Sequence, residues 1–159
     1  MRTMLIAGVA ILTTALYLVP TGAHLFELPH KMALSPIEYM LVQRIYAGWQ
    51  WFGLVIAFAI LATAALAVRV RRDRKALAWS IGASMCLVAA LADFFAFTYP
   101  VNIATGFWTI LPERFEMARR QWEYSHAAAA LLTFAALIAN VVSLLVLDNR
   151  GRSSSGAPM

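Results

Sequence analysis

Residues 52–75 read FGLVIAFAILATAALAVRVRRDRK, an uncharged apolar run that ends in a cluster of positive charges. A helix rises about 1.5 Å per residue, so about 20 apolar residues cross the hydrocarbon core of a bilayer. The run reaches that length when it is extended back to Tyr46. An isolated strand could not satisfy its backbone hydrogen bonds in lipid. We therefore predict a membrane-spanning helix over residues 46–68.

Three further stretches have the same apolar character, which gives four predicted spans at about residues 4–28, 46–68, 76–98 and 123–147. The first stops before Pro29, a residue that interrupts helices. The chain is 62% hydrophobic and 13% charged, whereas soluble domains carry about 25% charged residues. We predict an all-α fold, an antiparallel four-helix transmembrane bundle. Residues 1–149 form its single domain, and residues 150–159 are expected to be a disordered cytoplasmic tail.

The basic residues predict the orientation of the bundle. Five of the 13 Lys and Arg residues lie in the connection Arg69–Lys75, and connections rich in Lys and Arg stay in the cytoplasm. Arg2, Arg150 and Arg152 then fall on the same side, so both termini are predicted to be cytoplasmic. The other basic residues and five glutamates lie in two charge-balanced outer connections: Lys31, Arg44, Arg114, Arg119 and Arg120, with Glu27, Glu38, Glu113, Glu116 and Glu123.

This distribution also predicts the partner and the location of the protein. The net charge of +5 comes from topology signals beside apolar segments, so we expect a lipid bilayer as partner and no nucleic acid. The chain is predicted to be a multi-pass protein of the cell membrane, a bacterial inner membrane. Its single cysteine, Cys86, excludes an intramolecular disulfide.

The N-terminus allows a second interpretation. Arg2, an apolar run and the small residues Thr21-Gly22-Ala23 resemble a secretory signal peptide. Cleavage there would leave His24 as the new N-terminus and three spans. Apolar character resumes at Leu25 and Phe26, and an even number of spans agrees with the basic C-terminal tail. We therefore favour four spans.

Each predicted span carries one stripe of polar or small residues at helical spacing. Polar side chains avoid lipid, so the four stripes should face the interior of the bundle. The most polar members lie near the outer ends of the spans, where we expect them to line an outward-facing pocket: His24, Glu27, Gln43, Tyr46, Gln50, Asp93 and His126.

A buried aspartate beside imidazoles favours either acid–base or metal chemistry. We assign catalytic roles to His24, Asp93 and His126, because histidine accepts protons near neutral pH and a carboxylate in hydrocarbon costs about 2.5–3.5 kcal/mol. The alternative is a metal site formed by His24, Glu27, Asp93 and His126, a ligand set that suits Fe, Cu or Zn. No established metal-binding spacing is present. A site with a bound metal and a site without one therefore both stay open.

The segment Pro100-Val101-Asn102, followed by Trp122-Glu123-Tyr124-Ser125-His126, resembles a family of small four-helix membrane proteins that includes the anthrone oxygenases of polyketide pathways. That family, labelled as a domain of unknown function, shows P-x-N near the end of its third span. It also shows a Trp, then a His or Asn four residues later, at the start of the fourth. Asn102, Trp122 and His126 match those places. Ala127–Ala130 departs from the pattern, because an Arg often stands there.

The resemblance implies oxidation of an apolar, anthrone-like aromatic compound by O₂ without a known organic cofactor. His126 or His24 would be the base that forms a phenolate or carbanion. We expect a flat ring to contact Tyr46, Trp49, Gln50, Asn102 and Trp122. The competing class is a non-enzymatic membrane protein, either an accessory subunit or a small-molecule binder. No oligomeric state is predicted.

The predicted orientation can be tested by labelling cysteines in intact cells. In a Cys86→Ser background, Ser35→Cys should react with a membrane-impermeant maleimide, because it lies in the first outer connection. Ser154→Cys should react only after the cells are permeabilised, because it lies in the cytoplasmic tail. The reverse pattern of labelling would contradict the orientation.

Overall fold

A computed structural model describes residues 2–155 of the chain, with side chains for residues 2–149. This part contains helices and turns and no strand. Four helices are long and apolar enough to cross a membrane: Arg2–Ala33, Trp49–Arg69, Arg74–Ala104 and Phe115–Asn149. The prediction of an all-α protein with four apolar helices is therefore confirmed, whereas the cytoplasmic location of the termini stays a prediction.

The elements follow one another as α1 (Arg2–Ala33), α2 (Pro36–Val42), two short 3₁₀ turns (Gln43–Tyr46 and Trp49–Trp51), α3 (Phe52–Arg69), α4 (Arg74–Asp93), a π-helical turn (Phe94–Thr98), α5 (Tyr99–Ala104) and α6 (Phe115–Ser155). Helix α1 packs against α3 and α6, and α4 also packs against α3 and α6. The four long helices therefore form a closed ring.

The two ends of this ring are built differently. At the end that carries the basic connection, Ala7 of α1, Leu66 of α3 and Ala76 of α4 form one cluster, against which Leu144 of α6 packs. The opposite end holds an aromatic cap, which we define as Tyr39, Trp108, Phe115 and Trp122. The start of α1 and the end of α6 therefore lie at the same end of the ring.

Helix α1 runs through Pro29 to Ala33, so the predicted end at Leu28 was wrong. Proline removes one helical hydrogen bond, a loss that membrane helices tolerate because neighbouring groups satisfy the freed carbonyl. The helix ends where Arg119 of α6 donates hydrogen bonds to the carbonyl oxygens of Leu34 (2.8 Å) and Lys31 (3.4 Å). The extension places Lys31 two turns beyond His24, on the same face.

Helix α6 is also longer than its predicted span. It begins at Phe115, eight residues before Glu123, because residues 115–122 include charged side chains that end the apolar run but form helices well. It continues to Ser155, into the segment that we expected to be disordered. Residues 156–159 of that tail lie outside the described residues.

The connection between α1 and α3 contains the short helix α2. Its N-cap is Ser35, whose hydroxyl accepts a hydrogen bond from the Glu38 backbone N–H (3.4 Å), while the Glu38 carboxylate accepts from the Ser35 N–H (2.9 Å). Hydrogen bonds from the side chain and backbone of Ser35 hold the pKa of Glu38 below its usual range. Pro36 occupies the first helical turn, where its missing N–H costs nothing.

The connection between α5 and α6 contains a left-handed stretch. Gly106, Phe107 and Trp108 have φ angles of 55°, 56° and 63°. A Cβ on Gly106 would lie 2.9 Å from the Thr109 hydroxyl, so glycine is required there. The left-handed conformation costs about 1–2 kcal/mol for each non-glycine residue. Burial of the Trp108 indole, which is 5% exposed in the aromatic cap, offsets that cost.

Hydrogen bonds between helices connect the polar stripes inside the ring. The Nδ2 of Asn140 in α6 donates to the hydroxyls of Thr14 in α1 and Thr63 in α3, both at 3.2 Å. The hydroxyls of Ser80 in α4 and Ser143 in α6 lie 2.9 Å apart. These side chains are fully buried, so polar groups of all four long helices meet inside the ring.

Replacing Asn140 by alanine removes both hydrogen bonds and should lower the free energy of unfolding by about 1–2 kcal/mol, since one interhelical bond in a membrane contributes about 0.6 and at most about 1.7 kcal/mol. Unfolding by sodium dodecyl sulfate in mixed micelles measures the change. Thr13→Ala is the control, because the Thr13 hydroxyl bonds only to carbonyls of its own helix. Equal destabilisation by both variants would contradict the bridging role.

Candidate functional site

Two histidine side chains contact each other inside the bundle, at the end that carries the aromatic cap. The ring centroids of His24 in α1 and His126 in α6 lie 4.2 Å apart, with an interplanar angle of 63°. His24 is 5% exposed. The structure therefore brings together the two histidines that the sequence placed on separate polar stripes.

The hydrogen bonds of this pair decide where a proton can go. His126 Nδ1 lies 2.8 Å from the Trp122 carbonyl oxygen. A carbonyl only accepts, so Nδ1 carries the hydrogen and Nε2 of His126 carries the free lone pair. The Nδ1 atom of His24 is buried and has no hydrogen-bond partner. The pair thus combines a nitrogen that can accept a proton, Nε2 of His126, with a nitrogen that has no hydrogen-bond partner, Nδ1 of His24.

Aromatic rings surround the histidine pair. The His24 ring lies 4.5 Å from Tyr46, 5.0 Å from Trp122 and 5.5 Å from Trp49, measured between centroids. Trp122 also packs on His126 at 3.9 Å. Three of the predicted substrate-binding residues therefore contact His24, and their rings help to bury its imidazole.

A buried ion pair lies beside the rings. Lys31 Nζ is 2.8 Å from Glu123 Oε1, and the side chains are 4% and 0% exposed. The Tyr39 hydroxyl donates to the same Glu123 oxygen at 2.7 Å. The Lys31 ammonium lies over the rings of Trp122 (4.6 Å) and Tyr46 (4.7 Å), a cation–π arrangement. Sequence reasoning missed this pair, because it assigned both residues to charge-balanced connections.

The polar network continues toward the surface through Glu27. Lys31 Nζ lies 3.9 Å from a Glu27 oxygen, and the Glu27 side chain is 37% exposed. The Tyr46 hydroxyl donates to Glu27. Burial, followed by the hydrogen bond to Glu27, raises the pKa of Tyr46. Burial and the nearby Glu123 carboxylate raise the pKa of Tyr39. Both side chains therefore stay phenols that donate hydrogen bonds.

Trp122 and Asn102, two residues that resemble the anthrone oxygenase motif, form a hydrogen bond with each other. The Trp122 Nε1–H donates to the Asn102 Oδ1 at 2.8 Å, which joins α5 to α6. The bond fixes the plane of the indole between His24 and His126. Asn102 therefore positions the aromatic surroundings of the pair through Trp122.

Asp93 does not join this cluster. In the part of the chain with described side chains, no hydrogen bond, ion pair or ring contact connects it to His24 or His126. Asp93 lies instead in a separate groove, beside Phe97 and Tyr124. No three His, Cys, Asp or Glu side chains among the described residues lie together as a metal site. The predicted metal set of His24, Glu27, Asp93 and His126 is therefore not assembled.

Gln50 is exposed and lies outside the cluster. The sequence placed it on the face of Tyr46 by assuming a continuous α-helix. Residues 43–51 form two 3₁₀ turns instead, separated by Gly48 with a φ of 90°. This break rotates Gln50 away from Tyr46.

No protein family model matches the chain, and neither a curated protein nor a solved structure is significantly similar to it. The resemblance to the anthrone oxygenase family therefore stays a prediction that depends on Asn102, Trp122 and His126.

Neutralising one member of the buried ion pair should destabilise the protein strongly. Lys31→Met leaves the Glu123 carboxylate unpaired in an apolar site, which costs about 3–5 kcal/mol. Glu123→Gln leaves Lys31 with the longer contact to Glu27 at 3.9 Å and should cost less. The double variant removes both charges and should recover at least about half of the loss. Thermal unfolding can be followed with a thiol-reactive dye that reports exposure of Cys86.

Arg44→Gln is the control for these variants. Arg44 is exposed, so its change should alter stability by less than about 0.5 kcal/mol. Single neutralisations as mild as this control would show that the ion pair is dispensable.

Proposed function

We propose that this integral membrane protein carries out acid–base chemistry on an apolar small molecule at the His24–His126 pair. The observation that carries the proposal is the contact of the two imidazoles, one with a free Nε2 lone pair and one with an unpartnered Nδ1. A base in a water-poor, aromatic site suits a substrate whose weakly acidic C–H or O–H must be ionised.

In this proposal His126 Nε2 removes the proton, and the Lys31 ammonium, which lies close to the same rings, stabilises the anion that forms. Trp122 and Tyr46 hold a flat ring by stacking. Trp49, half-buried in a 3₁₀ turn next to Gly48, is the side chain that an entering ring would displace.

We further propose, from the resemblance, that the anion reacts with O₂. The CH₂ group of an anthrone-like substrate becomes a carbonyl, one oxygen atom enters the product, and the other leaves as water. This stoichiometry balances without an organic cofactor. The hydrogen bond between Asn102 and Trp122 supports the proposal, because it connects two motif residues beside His126.

A non-enzymatic role is the second candidate, and one observation favours it. His24 is 5% exposed and is enclosed by the rings of Tyr46, Trp49, Trp122 and His126. A closed cluster of this kind can stabilise an accessory subunit or small-molecule binder without any turnover.

Anthrone oxidation by the full chain in nanodiscs separates the two candidates. Oxygen uptake and anthraquinone absorbance should both exceed those of empty nanodiscs. His126→Gln should lower the rate by about 10²-fold or more, the usual contribution of a general base. His24→Gln should also lower it. Deuterium at the reactive CH₂ should slow the wild-type reaction, because its proton is removed.

His30→Gln is the matched control, because His30 is the third histidine and is exposed. Its rate should equal that of the wild type. Oxidation that survives loss of both His24 and His126 would remove the acid–base site. No oxidation by the folded wild-type protein would favour the non-enzymatic role.

A further inference from the structure

A groove of about 720 Å³ runs along the side of the bundle, between the end of α4 with its π-helical turn and the first turns of α6. Sites for small molecules have volumes of about 300–1,000 Å³. The groove is open laterally, and its wall is mainly apolar and aromatic. Its lining residues include Asp93, Phe97, Met117, Arg120, Tyr124 and Ser125.

Asp93 is the unusual member of this lining. Its Oδ2 atom is buried and has no hydrogen-bond partner, and none of the ion pairs among residues 2–149 includes Asp93. A carboxylate in a spanning segment is costly unless it meets a partner, so such residues mark ligand sites or pathways. The π-helical turn Phe94–Thr98 follows Asp93 directly, and turns of this type are frequent at functional sites.

The charges of the groove are separated by depth. The hydroxyls of Thr98 and Ser125 lie 2.7 Å apart and set a common level for α4 and α6. Asp93 lies five residues before Thr98, toward the bundle centre. Arg120 lies five residues before Ser125, about 7.5 Å in the opposite direction. The deep acid and the shallow cation therefore lie on opposite sides of this level.

The other acid of the groove already has a partner. Both oxygens of Glu116 accept hydrogen bonds from Arg119, at 2.6 and 2.8 Å. The deep part of the groove therefore carries one unpaired negative group, and the rings of Phe97 and Tyr124 flank it. Aromatic faces attract cations, and a carboxylate completes such a site.

From this charge complementarity we propose that the groove binds a lipophilic amine in its ammonium form, taken up from the bilayer. The ammonium donates to Asp93, and the apolar body lies along Phe97, Met117 and Tyr124. The proposal is independent of the histidine pair, because neither His24 nor His126 is among the residues that line the groove.

The test uses the full chain in phosphatidylcholine nanodiscs at pH 7. The probes are 1-naphthylmethylamine and 1-naphthalenemethanol, which share one ring system and differ in charge. The amine should bind saturably and at least about tenfold more tightly than the alcohol. A difference in affinity of about tenfold is what one charge-assisted hydrogen bond contributes. Fluorescence titration measures both dissociation constants.

Three variants complete the test. Asp93→Asn keeps the size of the side chain and should weaken amine binding at least about tenfold, whereas Asp93→Glu keeps the charge and should stay within about threefold of the wild type. Glu116→Gln neutralises the paired acid of the same groove and should change binding less than about twofold. Circular dichroism confirms that each variant is folded.

Two results would overturn the proposal. Equal affinity for the amine and the alcohol would show that the groove recognises the apolar ring alone. Unchanged amine binding by folded Asp93→Asn would show that the ammonium does not meet this carboxylate. If His126→Gln loses anthrone oxidation but still binds the amine, the groove is distinct from the proposed acid–base site.

Discussion

The buried contact between Lys31 and Glu123 is the constraint on which the cap end of the bundle depends. Two charges removed from water require close pairing, so the contact fixes α1 against α6. Tyr39 brings α2 to the same carboxylate. The ammonium also lies over Trp122, whose carbonyl oxygen orients His126. The geometry of the histidine pair thus depends on an ion pair that lies two turns from His24 in α1 and one turn from His126 in α6.

Hydropathy predicted the four helices because lipid imposes a minimum apolar length and excludes strands. It could not predict where the helices end, because helix formation continues past the apolar core wherever backbone and side chains allow it. Lys31 lies in such an extension, and Glu123 is the residue at which the extension of α6 joins the predicted span. The spacing of His24, Glu27 and Lys31 on one helical face held the missing information, since a lysine on a polar stripe needs an acidic partner inside.

The candidate site was predictable in part for the same reason. Helical periodicity gives the direction of a side chain around its own axis, which was sufficient for His24, Trp122 and His126. It does not say which neighbouring helix that direction meets, so Asp93 was grouped with the histidines although it lies in the groove between α4 and α6. The position of Gln50 was predicted wrongly because the prediction assumed a continuous α-helix, and the left-handed φ of Gly48 interrupts that helix.

Helix α6 has a mechanical consequence. Its segment Phe115–Asn149 is 35 residues long, which corresponds to about 50 Å, well beyond a hydrocarbon core of about 30 Å. No proline interrupts it. A stiff rod of that length cannot absorb a displacement locally. A shift of its first turns, where the aromatic cap and the groove meet, must therefore change its tilt and be transmitted to the far side of the bilayer.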